Sequence, residues 1–215
     1  MRDIETTLIL LGVVYMSIAL HEFGHAKSAD SAGDPTPRLM GRVTLNPFAH
    51  FDPIGAVLIA VLAFSGYGLG WGKPVLVNPS KMQHPRWDHF MSVLWGPLTN
   101  VIIAVVFGFL FRFAALPSGS AFFVALCIIA VTTNVALCLF NLIPLGPLDG
   151  HWLVGLALPQ PMGQRFILWN RTTGTFVLIG LIVVSQMSSS FNPIGMLMSG
   201  PVMTLTDLIL GLPTT

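Results

Sequence analysis

Residues 6–26 read TTLILLGVVYMSIALHEFGHA. The part up to Leu20 is uncharged and mostly apolar, but a helix needs about 20 residues to cross a bilayer, so this part alone is too short. A spanning helix has to carry His21-Glu22-Phe23-Gly24-His25 with it and run on to Ala26 before Lys27. Ionisable groups then sit within or at the edge of the membrane, where they are expensive and as a rule functional. HEFGH has the H-E-x-x-H pattern. On a helix, positions i and i+4 share one face with about 5–6 Å between Cβ atoms. That separation lets two imidazoles bind one zinc ion, with the intervening Glu beside the water it activates. The alternative is a helix end with two incidental histidines.

Composition supports the spanning reading. Of 215 residues, 53% are hydrophobic and 9% charged, against about 25% charged in ordinary soluble domains. The mean hydropathy is +0.77. We expect an integral membrane protein with the lipid bilayer as its surroundings, and one membrane-embedded domain over 1–215. The net charge of +1 and the lack of a basic run argue against nucleic acid as a partner. Cys127 and Cys138 lie about 16 Å apart along a helix, too far for a disulfide. Arg2 and the apolar run after it suggest a signal peptide. Asp3, Glu5 and the ending in HEFGH rather than a small-residue cleavage site indicate a retained span instead.

Working outward, helix one is expected over Ile4 to about Ala29. A polar stretch, Asp30 to Asp52, holds a strand candidate at Arg42-Val43-Thr44-Leu45. A charge-free run, Pro53 to Gly72, ends rich in glycine at Gly66, Gly68, Gly70 and Gly72. A second strand candidate, Val75-Leu76-Val77, is bracketed by Pro74 and Pro79. Further helices are expected over Phe90–Phe111, Ala121–Phe140, Phe166–Met187 and, more weakly, Ile194–Leu212. A short apolar piece, Trp152–Leu158, lies between the third helix and the last two. The fold class is all-α and polytopic: a three-helix catalytic core over about 4–155, a re-entrant segment, short β-strands in the loops, and about two C-terminal helices over about 166–212.

Two histidines leave a tetrahedral site incomplete, since a catalytic zinc takes three protein ligands and an open position. Asp149 is the best third candidate. It is the only acidic residue between Asp88 and Asp207, and it too follows a long apolar span. His50 (with Asp52) and His151 are the next candidates, against the plainer readings of a loop hydrogen bond and an interfacial histidine. His84 and His89 read as interfacial residues.

Three motifs in order carry a resemblance: HEFGH on the first helix, Gly96-Pro97-Leu98-Thr99-Asn100 on the second, and NLIPLGPLDG, Asn141–Gly150, closing the third. Together they resemble the site-2 protease family of intramembrane zinc metalloproteases. The connecting stretches from Gly41 to Pro53 and from Gly70 to Val75 resemble its short bacterial and archaeal members, without a PDZ or CBS domain. The resemblance runs from about residue 12 to residue 155. Gly146 and Leu76 depart from it, each sitting where a proline is common.

The resemblance implies His21, His25 and Asp149 as ligands of one zinc per chain. It implies Glu22 as general base, and Asn141 as a residue that stabilises the oxyanion or holds the substrate strand. The implied reaction is peptide-bond hydrolysis within or near transmembrane segments of membrane-protein substrates, as in regulated intramembrane proteolysis. The implied location is a prokaryotic cell membrane, with the active site toward the cytoplasmic side. A metal-binding transporter or a catalytically inactive scaffold is the rival reading. A transporter is expected to scatter ionisable residues along its helices, and a dead homologue to have lost Glu22.

Parity adds an expectation about Pro53–Gly72. For His21, His25 and Asp149 to share a metal, an even number of crossings must separate them, and helices Phe90–Phe111 and Ala121–Phe140 supply two. A third crossing would put the ligands on opposite faces. Pro53–Gly72 is therefore expected to be re-entrant or to lie against the core. That topology leaves only Arg2 and Arg112 of the 10 Lys and Arg outside, in keeping with the positive-inside rule.

Overall fold

The computed structural model describes residues 4–65, 71–187 and 191–213, with main chain only over 62–65. Among these residues it is helical throughout its regular structure. We number the main helices α1 (Ile4–Ser31), α2 (Pro53–Ser65), α3 (Pro85–Ser118), α4 (Ala121–Asn141), α5 (Asp149–Ala157), α6 (Met162–Met187) and α7 (Pro193–Leu210). The five helices α1, α3, α4, α6 and α7 are long and apolar enough to cross a membrane. Their outer faces carry large apolar side chains with no protein neighbour to cover them: Phe113 is 74% exposed and Phe176 75%. Such faces suit lipid, and the structure is that of an all-α polytopic membrane protein.

Local chemistry sets the helix ends. Ser120 accepts from the Phe123 N–H to open α4, and Asn192 from the Gly195 N–H to open α7. At the start of α3, Pro85 occupies the first turn, where its missing N–H costs nothing, and the Asp88 carboxylate accepts from the His84 N–H. Both α3 and α6 contain a widened turn, at Phe111–Ala115 and Asn170–Gly174.

The main buried apolar cluster forms where α3, α4 and α7 meet. Ala104, Phe111, Ala115, Cys127, Val131 and Val135 are buried there, joined by Leu210 of α7. Small residues such as Ala19, Ala26 and Ala130 let the helices approach closely. Both cysteines are free and buried.

The residues that flank segment 51–72 lie side by side. The Lys73 N–H donates to the His50 carbonyl at 3.0 Å. A Cβ on Gly55, in the first turn of α2, would run into the Trp71 carbonyl. With 13 residues α2 is about 20 Å long, short of the roughly 30 Å hydrocarbon core. The excursion closes on itself, as parity requires. Gly66, Gly68 and Gly70, expected to make the bend, lie outside the described residues.

The two strand candidates do not form strands. Around Arg42–Leu45 the polar groups are spent locally. Buried Arg42 donates its N–H to Pro37 O at 2.8 Å and its guanidinium to Ala49 O at 2.5 Å, while Asn46 N–H donates to the Thr44 hydroxyl at 3.1 Å. Val75–Val77 has no regular structure: helix α1 lies beside it where a partner strand would be needed, and the Val75 N–H goes to a side chain of that helix. A strand pattern a few residues long cannot specify its partner.

Candidate metal centre

His21 and His25 lie one turn apart near the end of α1, and Asp149 opens α5 just after α4. The parity of the spans brings them together. Asp149 Oδ2 is 3.2 Å from His21 Nε2, and its Oδ1 is 3.4 Å from His25 Nε2. The two Nε2 atoms are 3.0 Å apart, with the rings nearly perpendicular at 88°. The three potential ligand atoms all lie within 4.8 Å of one another, and no other such trio occurs among the described residues.

The second motif on α3 builds the other wall. A Cβ on Gly96 would overlap ring atoms of both His25 and His21, so only glycine lets α3 pass so close to the imidazoles. Pro97, one residue on, has no N–H to give to the Val93 carbonyl one turn back. The Ser92 carbonyl in that turn faces His25 Nδ1 at 2.8 Å. Asn100, one turn further along and fully buried, faces His21 Nδ1 with its Oδ1 at 2.7 Å.

These partners determine what the site can bind. A carbonyl oxygen only accepts, so both Nδ1 atoms carry the proton and donate, and in the neutral imidazole each Nε2 is then the lone pair. Two lone pairs and a carboxylate therefore face one another across about 3 Å, and buried Asp149 Oδ2 makes no hydrogen bond to relieve them. Such a group of acceptors is unfavourable unless a cation sits among them. Two neutral imidazoles and one carboxylate, with their second nitrogens fixed by oxygen acceptors, fit zinc.

Asp149 is held from two sides. A Cβ on Gly150 would strike the Leu142 and Ile143 carbonyls, so α5 starts tight against the end of α4. The loop before it is fastened to α6, where fully buried Asn170 accepts the Gly146 N–H at 2.8 Å. A proline at 146 would lack that N–H.

Glu22 turns to the other face of α1. Its Oε2 accepts the Val75 N–H at 3.0 Å. Gly72 lies over Ile18 and the Glu22 Cγ, so segment 71–78 crosses α1 beside the carboxylate. The far end of that segment is anchored by buried Asp34, whose Oδ2 accepts the Asn78 N–H at 2.6 Å. Burial raises the Asp34 carboxyl, but bonds from Thr36 and Asn78 outweigh it and hold it below the usual carboxylate range.

The other candidates sit elsewhere. Asn141 ends α4, and its Nδ2 donates to Leu137 O at 2.9 Å in its own helix. His50 is buried with Nε2 3.1 Å from Thr44 O. His151 Nδ1 contacts the Leu148 carbonyl, and the rings of both His151 and His89 lie 5.0 Å from that of Trp152. Exposed His84 pairs loosely with Asp88 at 3.8 Å. Sequence reasoning missed Ser92, Asn134 and Asn170, and gave Asn100 no role. The available signal for the asparagines was an amide inside an otherwise apolar helix.

Comparison with known proteins finds relatives named for zinc chemistry. The chain is 32% identical over 189 residues to YwhC of Bacillus subtilis (strain 168), covering 84% of this chain and 82% of that protein, whose name assigns it provisionally to the zinc metalloproteases. It is 28% identical over 176 residues to Rip2 of Mycolicibacterium smegmatis, covering 82% of this chain and 67% of that protein, and 31% identical over 171 residues to Rip2 of Mycobacterium tuberculosis (strain H37Rv), covering 79% and 63%; both carry the same provisional name. No protein-family model matches the chain, and no solved structure does. The identity to YwhC over most of both chains, together with the zinc-fitting trio among apolar helices, establishes that this chain belongs to the site-2 protease family of zinc metalloproteases.

Proposed function

We propose that the chain is an intramembrane endopeptidase that hydrolyses peptide bonds within or near transmembrane segments of other membrane proteins. The observation that carries this reading is the convergence of His21, His25 and Asp149 at the ends of apolar spans, with Glu22 between the two histidines on the same helix. That placement supports membrane-protein substrates, because a site among spanning helices is open to chains that are themselves in the bilayer.

His21, His25 and Asp149 hold the ion. When bound, zinc supplies Lewis acidity both to a water and to the scissile carbonyl. Glu22 takes the proton as water attacks and passes it to the leaving amine. The Val75 N–H holds the Glu22 carboxylate in place. Asn141 is the proposed donor to the oxyanion. That role requires its amide to turn away from Leu137 O.

The excess of Lys and Arg on the Lys27, Arg38 and Arg42 side supports a cytoplasmic site in a prokaryotic cell membrane, with segment 51–72 re-entrant from that side.

Glu22→Gln tests the reading against a model transmembrane substrate. We expect cleavage to be abolished with zinc content unchanged, because Glu22 is no ligand. His21→Ala, His25→Ala and Asp149→Ala each lose both. Retained turnover in Glu22→Gln removes it from the mechanism, and full zinc in Asp149→Ala removes Asp149 from the ligand set.

A further inference from the structure

The orientation of His21 depends on an amide two side chains away. Asn134 of α4 is fully buried, and its Nδ2 is 2.9 Å from the Ala130 carbonyl of its own helix and 2.9 Å from the Ser17 hydroxyl of α1. A main-chain carbonyl can only accept, so the atom facing Ala130 must be the amide nitrogen. This fixes which way Asn134 points. Its Oδ1 is then directed at Asn100 of α3, whose Nδ2 donates to it at 2.9 Å. With that nitrogen engaged, the Asn100 oxygen is the atom left for His21 Nδ1. One backbone carbonyl thus sets two amides in turn, and the second sets the imidazole.

We propose that Asn134 is a positioning residue for the metal centre: acting through Asn100, it holds the His21 proton on Nδ1 and keeps Nε2 a free lone pair aimed at Asp149. Without the Asn134 acceptor, nothing described holds the Asn100 amide in this sense. A turned amide presents Nδ2 to His21 Nδ1 and favours the tautomer with its proton on Nε2, the nitrogen that must ligate. His25 needs no such relay, because its Nδ1 meets a main-chain carbonyl directly. The inference rests on the zinc reading of this site and extends it to a residue that touches neither the ion nor its ligands.

The test measures zinc affinity by competition with a chelator on the full chain in detergent, for wild type, Asn134→Leu, Asn100→Leu and the double variant. Leucine fills much the same space, and side-chain hydrogen bonds between membrane helices contribute little to their association. We expect Asn134→Leu to bind zinc about 10–100-fold more weakly, the scale on which partners of metal ligands act. Thermal unfolding of the metal-free protein stays where it was. The double variant binds no more weakly than Asn100→Leu alone, because the two residues act in series.

Unchanged affinity in Asn134→Leu overturns the inference. So do losses that multiply in the double variant, or a fall in metal-free unfolding temperature that parallels the loss of affinity. Should Asn134→Leu fail to accumulate, Asn134→Ala carries the same expectation and the same refutation. A wild-type chain that binds no zinc overturns the metal reading itself, and the inference with it.

Discussion

Two faces of α1 meet at the site, and they are held in different ways. Ser17, His21, Gly24 and His25 face the packed interior, where α3 and α4 supply buried partners at every step. Ile18 and Glu22 face segment 71–78, whose main-chain N–H groups are fastened to His50, Glu22 and Asp34. His21 and His25 are therefore set by helix packing, and Glu22 by a loop. Packed helices open together with the whole fold, whereas a segment held by a few bonds moves at lower cost. Such a division lets segment 71–78 shift without disturbing His21 and His25.

Gly96→Ala breaks the packed face. Its Cβ would overlap two imidazoles that cannot retreat, since His25 is tied to Ser92 O and His21 to Asn100. Overpacking of this kind costs about 1–3 kcal/mol. We expect zinc content to collapse and the unfolding temperature to fall, measured side by side. Full zinc content would mean that α3 does not pass as close as described.

Val75→Pro addresses the loop face and has the smaller effect. It deletes the N–H that Glu22 Oε2 accepts. A hydrogen bond to a charged group is worth about 1.5–3 kcal/mol, so turnover should fall about ten-fold or more while zinc content holds. Equal losses of zinc and turnover would show that the two faces are coupled after all, and unchanged turnover would show that the segment does not orient Glu22.

The same division separates what the sequence made legible from what it hid. HEFGH stood out because two histidines at helical spacing closed an otherwise apolar run. Asp149 stood out because it is the one carboxylate between Asp88 and Asp207. The spans and the closed path of segment 51–72 followed from length, charge and parity. The partner of His25 was hidden because it is the Ser92 backbone carbonyl, which no side-chain pattern encodes. Asn134 and Asn170 were hidden because each acts across helices far apart in sequence. The strands expected at Arg42–Leu45 and Val75–Val77 failed for a related reason: alternation and flanking prolines describe a strand, but its partner comes from tertiary structure, which placed α1 beside one and local bends in the other.

The central claim is that His21, His25 and Asp149 share one zinc ion. X-ray absorption at the zinc edge on the purified chain tests it most directly. The account predicts two imidazole nitrogens at about 2.0–2.1 Å and carboxylate oxygen at about 2.0–2.2 Å. A sulfur shell near about 2.3 Å, as Cys127 or Cys138 would give, or a spectrum without the imidazole signature, would contradict it.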